Sequence, residues 1–106
     1  MSGRRLAQEI VLDNNHKFVD GPPDFAVEVR SAGQYSPSDG LKVLKKIKEY
    51  FAAGTTVVWD VDFLHEGWIK KYTPETIDNP RVFKRGEIAD AESAVPGWRM
   101  AVEDLF

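Results

Sequence analysis

The residues best suited to chemistry lie in one short segment in which charged and apolar side chains alternate. A β-strand would place Asp24, Glu28 and Arg30, together with Ala26, on one face. The opposite face of that strand would be apolar, with Phe25, Val27 and Val29. Carboxylate oxygens beside a cation suit a hard divalent ion such as Mg²⁺ and a phosphate group. The same charged row is also typical of an ordinary solvent-facing surface on an edge strand.

A helix is predicted directly after this strand, and its two ends are marked by residue type. Ser36 suits the N-cap, Pro37 the first helical position and Asp39 the third, which together resemble a capping box. Gly54 stands where a C-terminal cap belongs. One apolar stripe runs between these ends, formed by Leu41, Leu44, Ile47 and Phe51 and widened by Val43 and Tyr50. We therefore expect a helix from about 37 to 53.

The rest of the chain reads as short strands separated by turns. Residues 55–61 and 68–72 have strand composition and flank a polar turn, which predicts a hairpin. Residues 81–84 and 94–95 are further strand candidates, and the apolar residues of 96–106 are expected to close the core. Residues 3–12 fit a helix or a short strand equally well. This pattern predicts an α/β domain over 21–106, preceded by an N-terminal arm or partial element over 1–20.

Composition limits the classes of protein that remain. With 106 residues, 42% of them hydrophobic and 29% charged, the chain fits one modest soluble domain. The absence of cysteine excludes disulfides and thiolate metal sites, so any metal must use oxygen or histidine ligands. A net charge of -3 means that nucleic acid would have to be bound by a local patch or through metal ions. Without a signal core or an apolar span, we expect a cytoplasmic protein with no membrane contact.

Several motifs occur in an order that resembles one nuclease family. They are Pro-Asp-Phe-Ala-Val-Glu-Val-Arg-Ser at 23–31, Ser-Pro-Ser-Asp at 36–39, the lysine-rich segment 45–54, Val-Trp-Asp-Val-Asp at 58–62, and Pro-Gly-Trp-Arg-Met followed by Glu-Asp-Leu-Phe at 96–106. Together they resemble the Uma-type restriction endonucleases of the PD-(D/E)XK nuclease superfamily. The resemblance starts at about Gly21, and residues 1–19 show no counterpart to the family's N-terminal half. It therefore implies a restriction-endonuclease-like mixed sheet with one main helix packed on it, and a truncated core.

The resemblance also implies a function and a site. It implies a Mg²⁺-dependent (or Mn²⁺-dependent) endodeoxyribonuclease that hydrolyses phosphodiester bonds of DNA. Glu28 and Asp24 match the family's acidic residues and would act as catalytic residues and metal ligands. Lys46 matches a helical lysine that would stabilise charge on the phosphate, and Arg30 stands where the superfamily has lysine, so it would contact a phosphate. From the residues alone, Lys46 fits better with a solvated helix face that also carries Lys42, Lys45 and Lys48, and the family resemblance makes the two readings about equal.

A second reading stays open at this point. The chain could be a catalytically inactive nuclease-fold domain that acts through oligomerisation or through protein or DNA contacts. An exposed sheet edge would favour a homo-oligomer. The other constellations predict structure rather than chemistry: His16 and His65 lack a second ligand at metal-binding spacing, Asp60 and Asp62 suggest a hairpin end, and Trp59, Trp68 and Trp98 suggest packing.

Overall fold

A strand, a helix and a second strand form the centre of the structure, which is a computed structural model that describes residues 22–106. Strand β1 (Phe25–Val29) is parallel to β2 (Val57–Asp62), and helix α1 (Pro37–Ala53) connects them. Parallel neighbours need such a crossover because the chain must return to the same end of the sheet. The predictions for residues 3–12, the 1–20 arm and His16 lie outside the described residues.

Local hydrogen bonds at both ends determine the length of α1. The Ser36 hydroxyl accepts from the backbone N–H of Asp39 at 3.2 Å, and the Asp39 carboxylate accepts from the backbone N–H of Ser36 at 3.2 Å. Gly54 ends the helix with φ of 115°, a left-handed conformation that favours glycine. The predicted helix over 37–53 and its capping box are confirmed.

The remaining strands extend the sheet in antiparallel fashion. Strands β3 (Trp68–Tyr72) and β4 (Arg81–Lys84) complete the order β1-β2-β3-β4. Two further strands, β5 (Ile88–Asp90) and β6 (Arg99–Ala101), form a separate antiparallel pair. Short 3₁₀ turns span Pro74–Thr76 and Val102–Leu105. The mixed α/β fold and the predicted hairpin are confirmed.

One strand prediction was wrong. Residues 94–95 lie in the turn segment that connects β5 to β6. The backbone N–H of Val95 donates to the carbonyl of Ala91 at 3.0 Å, which bends the chain instead of extending it. Two apolar residues bounded by Ser93 and Pro96 are too few to form a ladder, and the pairing is made by residues on either side of the turn.

The central sheet has a separate hydrophobic cluster on each face. On the helix side, Ala26 and Val58 pack with Ile47, Tyr50 and Tyr72. The opposite side is covered by the small sheet and the C-terminal 3₁₀ turn, and its buried members are Phe25, Val57, Trp59, Val61, Ile69, Phe83, Ala89, Ala91 and Val102. The predicted alternation along β1 and the core role of the C-terminal segment are therefore confirmed. Within residues 22–106, no helix combines the length and apolarity needed to cross a membrane.

Candidate functional site

A cleft of about 400 Å³ opens between the carboxyl end of β1 and residues 39–49 of α1. Its walls come from the strand and from the crossover helix that follows it in the chain. The lining residues that matter for chemistry are Glu28, Arg30, Asp39, Lys42, Lys45, Lys46 and Glu49. Three of the predicted site residues, Glu28, Arg30 and Lys46, therefore meet at one place, whereas Asp24 is not among the residues that line this cleft.

Glu28 projects from β1 toward α1, and the helix contacts both of its carboxylate oxygens. The Lys46 ammonium donates to Oε1 at 3.1 Å, and the Tyr50 phenol donates to Oε2 at 3.1 Å. Lys46 and Tyr50 are four residues apart on α1, so they lie on the same helix face. The Glu28 side chain is 15% exposed, which leaves it accessible from the cleft. Sequence reasoning had assigned Tyr50 only to the apolar stripe and missed this contact.

Asp24 lies outside the strand and away from Glu28. It is an exposed residue at a bend just before β1, and its backbone carbonyl accepts from the N–H groups of Thr56 at 3.1 Å and Val57 at 3.3 Å. Four residues of extended strand correspond to about 13 Å. At ligand distances of about 2.0–2.6 Å, a single divalent cation binds both carboxylates only where the two side chains turn toward each other.

Arg30 is engaged by a buried partner on the neighbouring strand. Its Nε and Nη2 donate to the two carboxylate oxygens of Asp60 at 3.0 and 2.9 Å, and its Nη1 donates to the carbonyl of Gln34 at 3.1 Å. Asp60 is 1% exposed. The hydrogen bond to Asp60 raises the pKa of Arg30, although burial opposes this. Arg30 thus braces β1 against β2, and its predicted phosphate contact would have to use N–H groups that these three bonds leave over.

Asp60 and Asp62 were both predicted to mark a hairpin end, and this was wrong for Asp60. Asp60 lies within β2 directly opposite Glu28 in the register. The one signal for it in the sequence is an acid inside the otherwise apolar stretch 57–61, because a buried acid requires a cation or hydrogen-bond donors as partners. The sequence does not identify that partner as Arg30, which is 30 residues away.

Asp62 does organise the hairpin turn. Its Oδ1 accepts from the Tyr35 phenol at 2.6 Å and from the backbone N–H groups of Leu64 and His65 at 3.1 and 3.0 Å, and its Oδ2 accepts from Gly67 at 3.2 Å. Burial opposes ionisation of Asp62, but these hydrogen bonds together hold its pKa below the usual range. Burial and the bond to Asp62 raise the pKa of Tyr35 to about 12.

The positions of the carboxylates in and near the cleft determine which of them could bind a divalent cation. Among residues 22–106, no group of three or more His, Asp or Glu side chains is arranged to hold a metal ion. Asp60 is already paired with Arg30, so it is not a free ligand. Glu28 is a hard oxygen donor that faces the cleft, and Mg²⁺ is often held by one or two carboxylates together with substrate phosphates. Glu28 would therefore hold a divalent cation as a single protein ligand, in exchange for its contact with the Lys46 ammonium.

The charge around the cleft differs from that of the whole chain. Four cationic side chains line it, Arg30, Lys42, Lys45 and Lys46, against a formal net charge of -3 for the chain. Three acids, Glu28, Asp39 and Glu49, lie among them. Two of the cations are paired with Asp60 and Glu28, whereas Lys42 and Lys45 are exposed on the helix surface. Such a local cationic surface suits the phosphates of a nucleic acid.

Comparison with known proteins identifies a family. A family model described as "Uma2: Putative restriction endonuclease" matches residues 3–103. The match begins well before Gly21, where the likeness of the motifs had been placed, and so it also takes in most of the N-terminal segment. Among curated proteins, none matches the chain.

Proposed function

Because the chain belongs to the Uma2 family, whose model is described as "Putative restriction endonuclease", we propose that it hydrolyses phosphodiester bonds of DNA at the cleft between β1 and α1. The observation that carries this proposal is the contact between Glu28 and Lys46. A carboxylate from the sheet and an ammonium from the helix meet at 3.1 Å in an accessible cleft. In phosphodiester hydrolysis a carboxylate can hold a cation, and an ammonium can stabilise the charge of the phosphate.

Each cleft residue has a role in this proposal. Glu28 would hold a divalent cation, Mg²⁺ or Mn²⁺, which when bound supplies Lewis acidity that activates water and offsets phosphate charge. Lys46 donates hydrogen bonds to the non-bridging oxygens of the phosphate and stabilises the charge that builds there. Arg30 contacts a neighbouring phosphate with the N–H groups that remain free of Asp60 and Gln34. Asp24 is the second predicted metal ligand. Because it does not line the cleft with Glu28, separate substitutions of the two residues can distinguish their contributions to metal binding.

DNA would approach along the exposed helix face. Lys42 and Lys45 line the cleft beside Lys46, so they can bind phosphates on either side of the one that is cleaved. Binding of this kind is local and electrostatic, which is compatible with a chain whose net charge is -3. An activity on DNA also fits the cytoplasmic location predicted from the sequence.

A plasmid-cleavage assay with Mg²⁺ or Mn²⁺ tests the proposal. We expect the wild-type protein to nick or linearise the plasmid, and Glu28→Gln and Lys46→Met each to lower the rate by about 100-fold or more. Lys48→Met is the matched control, because Lys48 is exposed on the same helix but is not among the cleft residues. Cleavage that persists unchanged in both site variants, or no cleavage by the wild type, would contradict the proposed activity.

A second candidate function rests on the position of β1 in the described sheet. Within the described residues, β1 is an outer strand of the order β1-β2-β3-β4. An outer strand leaves a row of backbone groups available for pairing with another strand, which suits a homo-oligomer or a domain that acts through protein contacts. Sedimentation analysis together with titration of Mn²⁺ separates the two candidates: a stable oligomer that binds no Mn²⁺ and cleaves no DNA favours the second.

A further inference from the structure

Two residues of α1 hold the Glu28 carboxylate, and they differ in freedom of movement. Tyr50 is 4% exposed and belongs to the buried cluster on the helix side of the sheet, with Ala26, Ile47 and Val58. Its ring is fixed by packing, so its phenol oxygen has a defined position. The side chain of Lys46 is 37% exposed and has four rotatable bonds, so its ammonium can leave Glu28 without disturbing the core.

The two contacts also differ in charge. The Tyr50 phenol is a neutral donor, so its hydrogen bond orients the Glu28 carboxylate and leaves its negative charge to attract a cation. The Lys46 ammonium neutralises that charge and competes with any cation for the same carboxylate. A carboxylate oxygen accepts more than one bond, so Glu28 can keep the bond from Tyr50 while it binds a cation.

We propose that Tyr50 is the positioning residue for Glu28, and that Lys46 is an exchangeable partner that moves to the phosphate when a cation and DNA enter the cleft. This division of roles rests on the proposed function. It goes beyond that function because it assigns a role to Tyr50 and predicts opposite effects of two residues that contact the same carboxylate.

Titration calorimetry with Mn²⁺ and single-turnover cleavage of DNA test this division. Tyr50→Phe keeps the buried ring and removes the hydrogen bond to Oε2, and we expect it to weaken Mn²⁺ binding about tenfold. Lys46→Met is expected to leave Mn²⁺ affinity unchanged or to raise it, because a competing cation is lost, while the cleavage rate at saturating Mn²⁺ falls by about 100-fold.

Tyr72→Phe is the matched control. Tyr72 belongs to the same buried cluster, and the hydrogen bonds described for Glu28 involve Lys46 and Tyr50 and not Tyr72. We therefore expect Tyr72→Phe to keep wild-type Mn²⁺ affinity and cleavage. Equal weakening by Tyr50→Phe and Tyr72→Phe would show a general effect on packing and would overturn the proposal, as would wild-type Mn²⁺ affinity in Tyr50→Phe.

A readout that needs neither metal nor DNA separates this inference from the proposed function. The ¹³C resonance of the Glu28 side-chain carboxyl group is expected to shift in Tyr50→Phe and to stay in place in Tyr72→Phe. If the wild-type protein binds no Mn²⁺ and cleaves no DNA, the proposed function fails, and the resonance alone decides whether Tyr50 positions Glu28. An unchanged resonance in Tyr50→Phe overturns the positioning role whatever the activity.

Discussion

Glu28 and Asp60 are register partners on the parallel strands β1 and β2, but their carboxylates have different surroundings. Glu28 faces the cleft and bonds to Lys46 and Tyr50, whereas Asp60 is buried and pairs with Arg30. Both residues point to the helix side of the sheet. Side chains of α1 contact Glu28, whereas Arg30, which directly follows β1, contacts Asp60. Adjacent acids thus separate into a candidate catalytic group and a structural one.

Removal of Asp60 should destabilise the fold more than it changes the cleft. Asp60→Asn leaves the Arg30 guanidinium buried without a counter-charge, and we expect a loss of about 3–5 kcal/mol in the free energy of unfolding. Urea denaturation measures this loss. The double variant Arg30→Met/Asp60→Leu should lie much closer to the wild type, because it leaves no unpaired charge. A double variant that is no more stable than Asp60→Asn would argue against a buried-charge penalty.

Substitutions of the two predicted metal ligands, Glu28 and Asp24, should have very different effects on Mn²⁺ affinity, as measured by titration calorimetry. Glu28→Gln is expected to abolish Mn²⁺ binding, because it removes the carboxylate that faces the cleft. Asp24→Asn should change the affinity by less than about twofold, since Asp24 does not line the cleft and stands four residues before Glu28, about 13 Å in extended chain. If both variants lose binding to the same extent, the two residues share one ion and the start of β1 must rearrange to allow it.

The salt dependence of DNA binding should identify the helix face that contacts phosphate. Lys45→Gln is expected to reduce the slope of log K against log salt concentration by about 0.9, the value for one phosphate contact on duplex DNA. Fluorescence anisotropy at several NaCl concentrations measures the slope. Lys48→Gln removes one positive charge outside the cleft lining and should keep the wild-type slope. Equal slopes for the two variants would show that the cleft does not contact DNA.

Acid should destabilise the protein in part through Asp62. The folded state lowers the pKa of Asp62 below its ordinary value of 3.8. Its contribution to stability is therefore fully present above that value and is lost as the pH falls through the lower pKa of the folded state. Urea denaturation between pH 6 and about pH 2.5 should show a smaller loss of stability in Asp62→Asn than in the wild type. Asp104→Asn, at an exposed site, is the control, and a wild-type pH dependence in Asp62→Asn would contradict this assignment.

Two glycines of the helix region should respond to alanine in opposite directions. At Gly54, φ is 115° and an added Cβ would lie 3.3 Å from Cγ of Pro22, so Gly54→Ala should lower stability by about 1 kcal/mol or more. Gly40 lies within α1 and an added Cβ would meet nothing within 4 Å, so Gly40→Ala should raise stability by about 0.5–1 kcal/mol. Thermal denaturation of both variants measures the direction of each change in stability. A Gly54→Ala variant that is more stable than the wild type would contradict the role of Gly54 as the C-terminal cap.

Much of the fold was predictable because it depends on neighbours in sequence. The capping box of Ser36 and Asp39 and the glycine cap at Gly54 act within a few residues, and α1 has the predicted bounds. The alternation along β1 predicted which face is apolar, since side chains of a strand alternate regardless of what packs on them. The strand predicted at 94–95 failed because two apolar residues do not determine whether a short segment extends or turns.

The sequence by itself determined the family motifs, the helix, and the presence of Glu28 and Lys46 on adjoining elements. Only the tertiary structure decided which charges meet. Lys46 and Tyr50 reach Glu28 because α1 packs over β1, and Asp60 pairs with Arg30 because the two strands pair in a particular register. Asp24 does not line the cleft because it precedes β1, whereas the cleft lies at the other end of this strand. These outcomes depend on long-range packing and pairing, which local propensity does not encode.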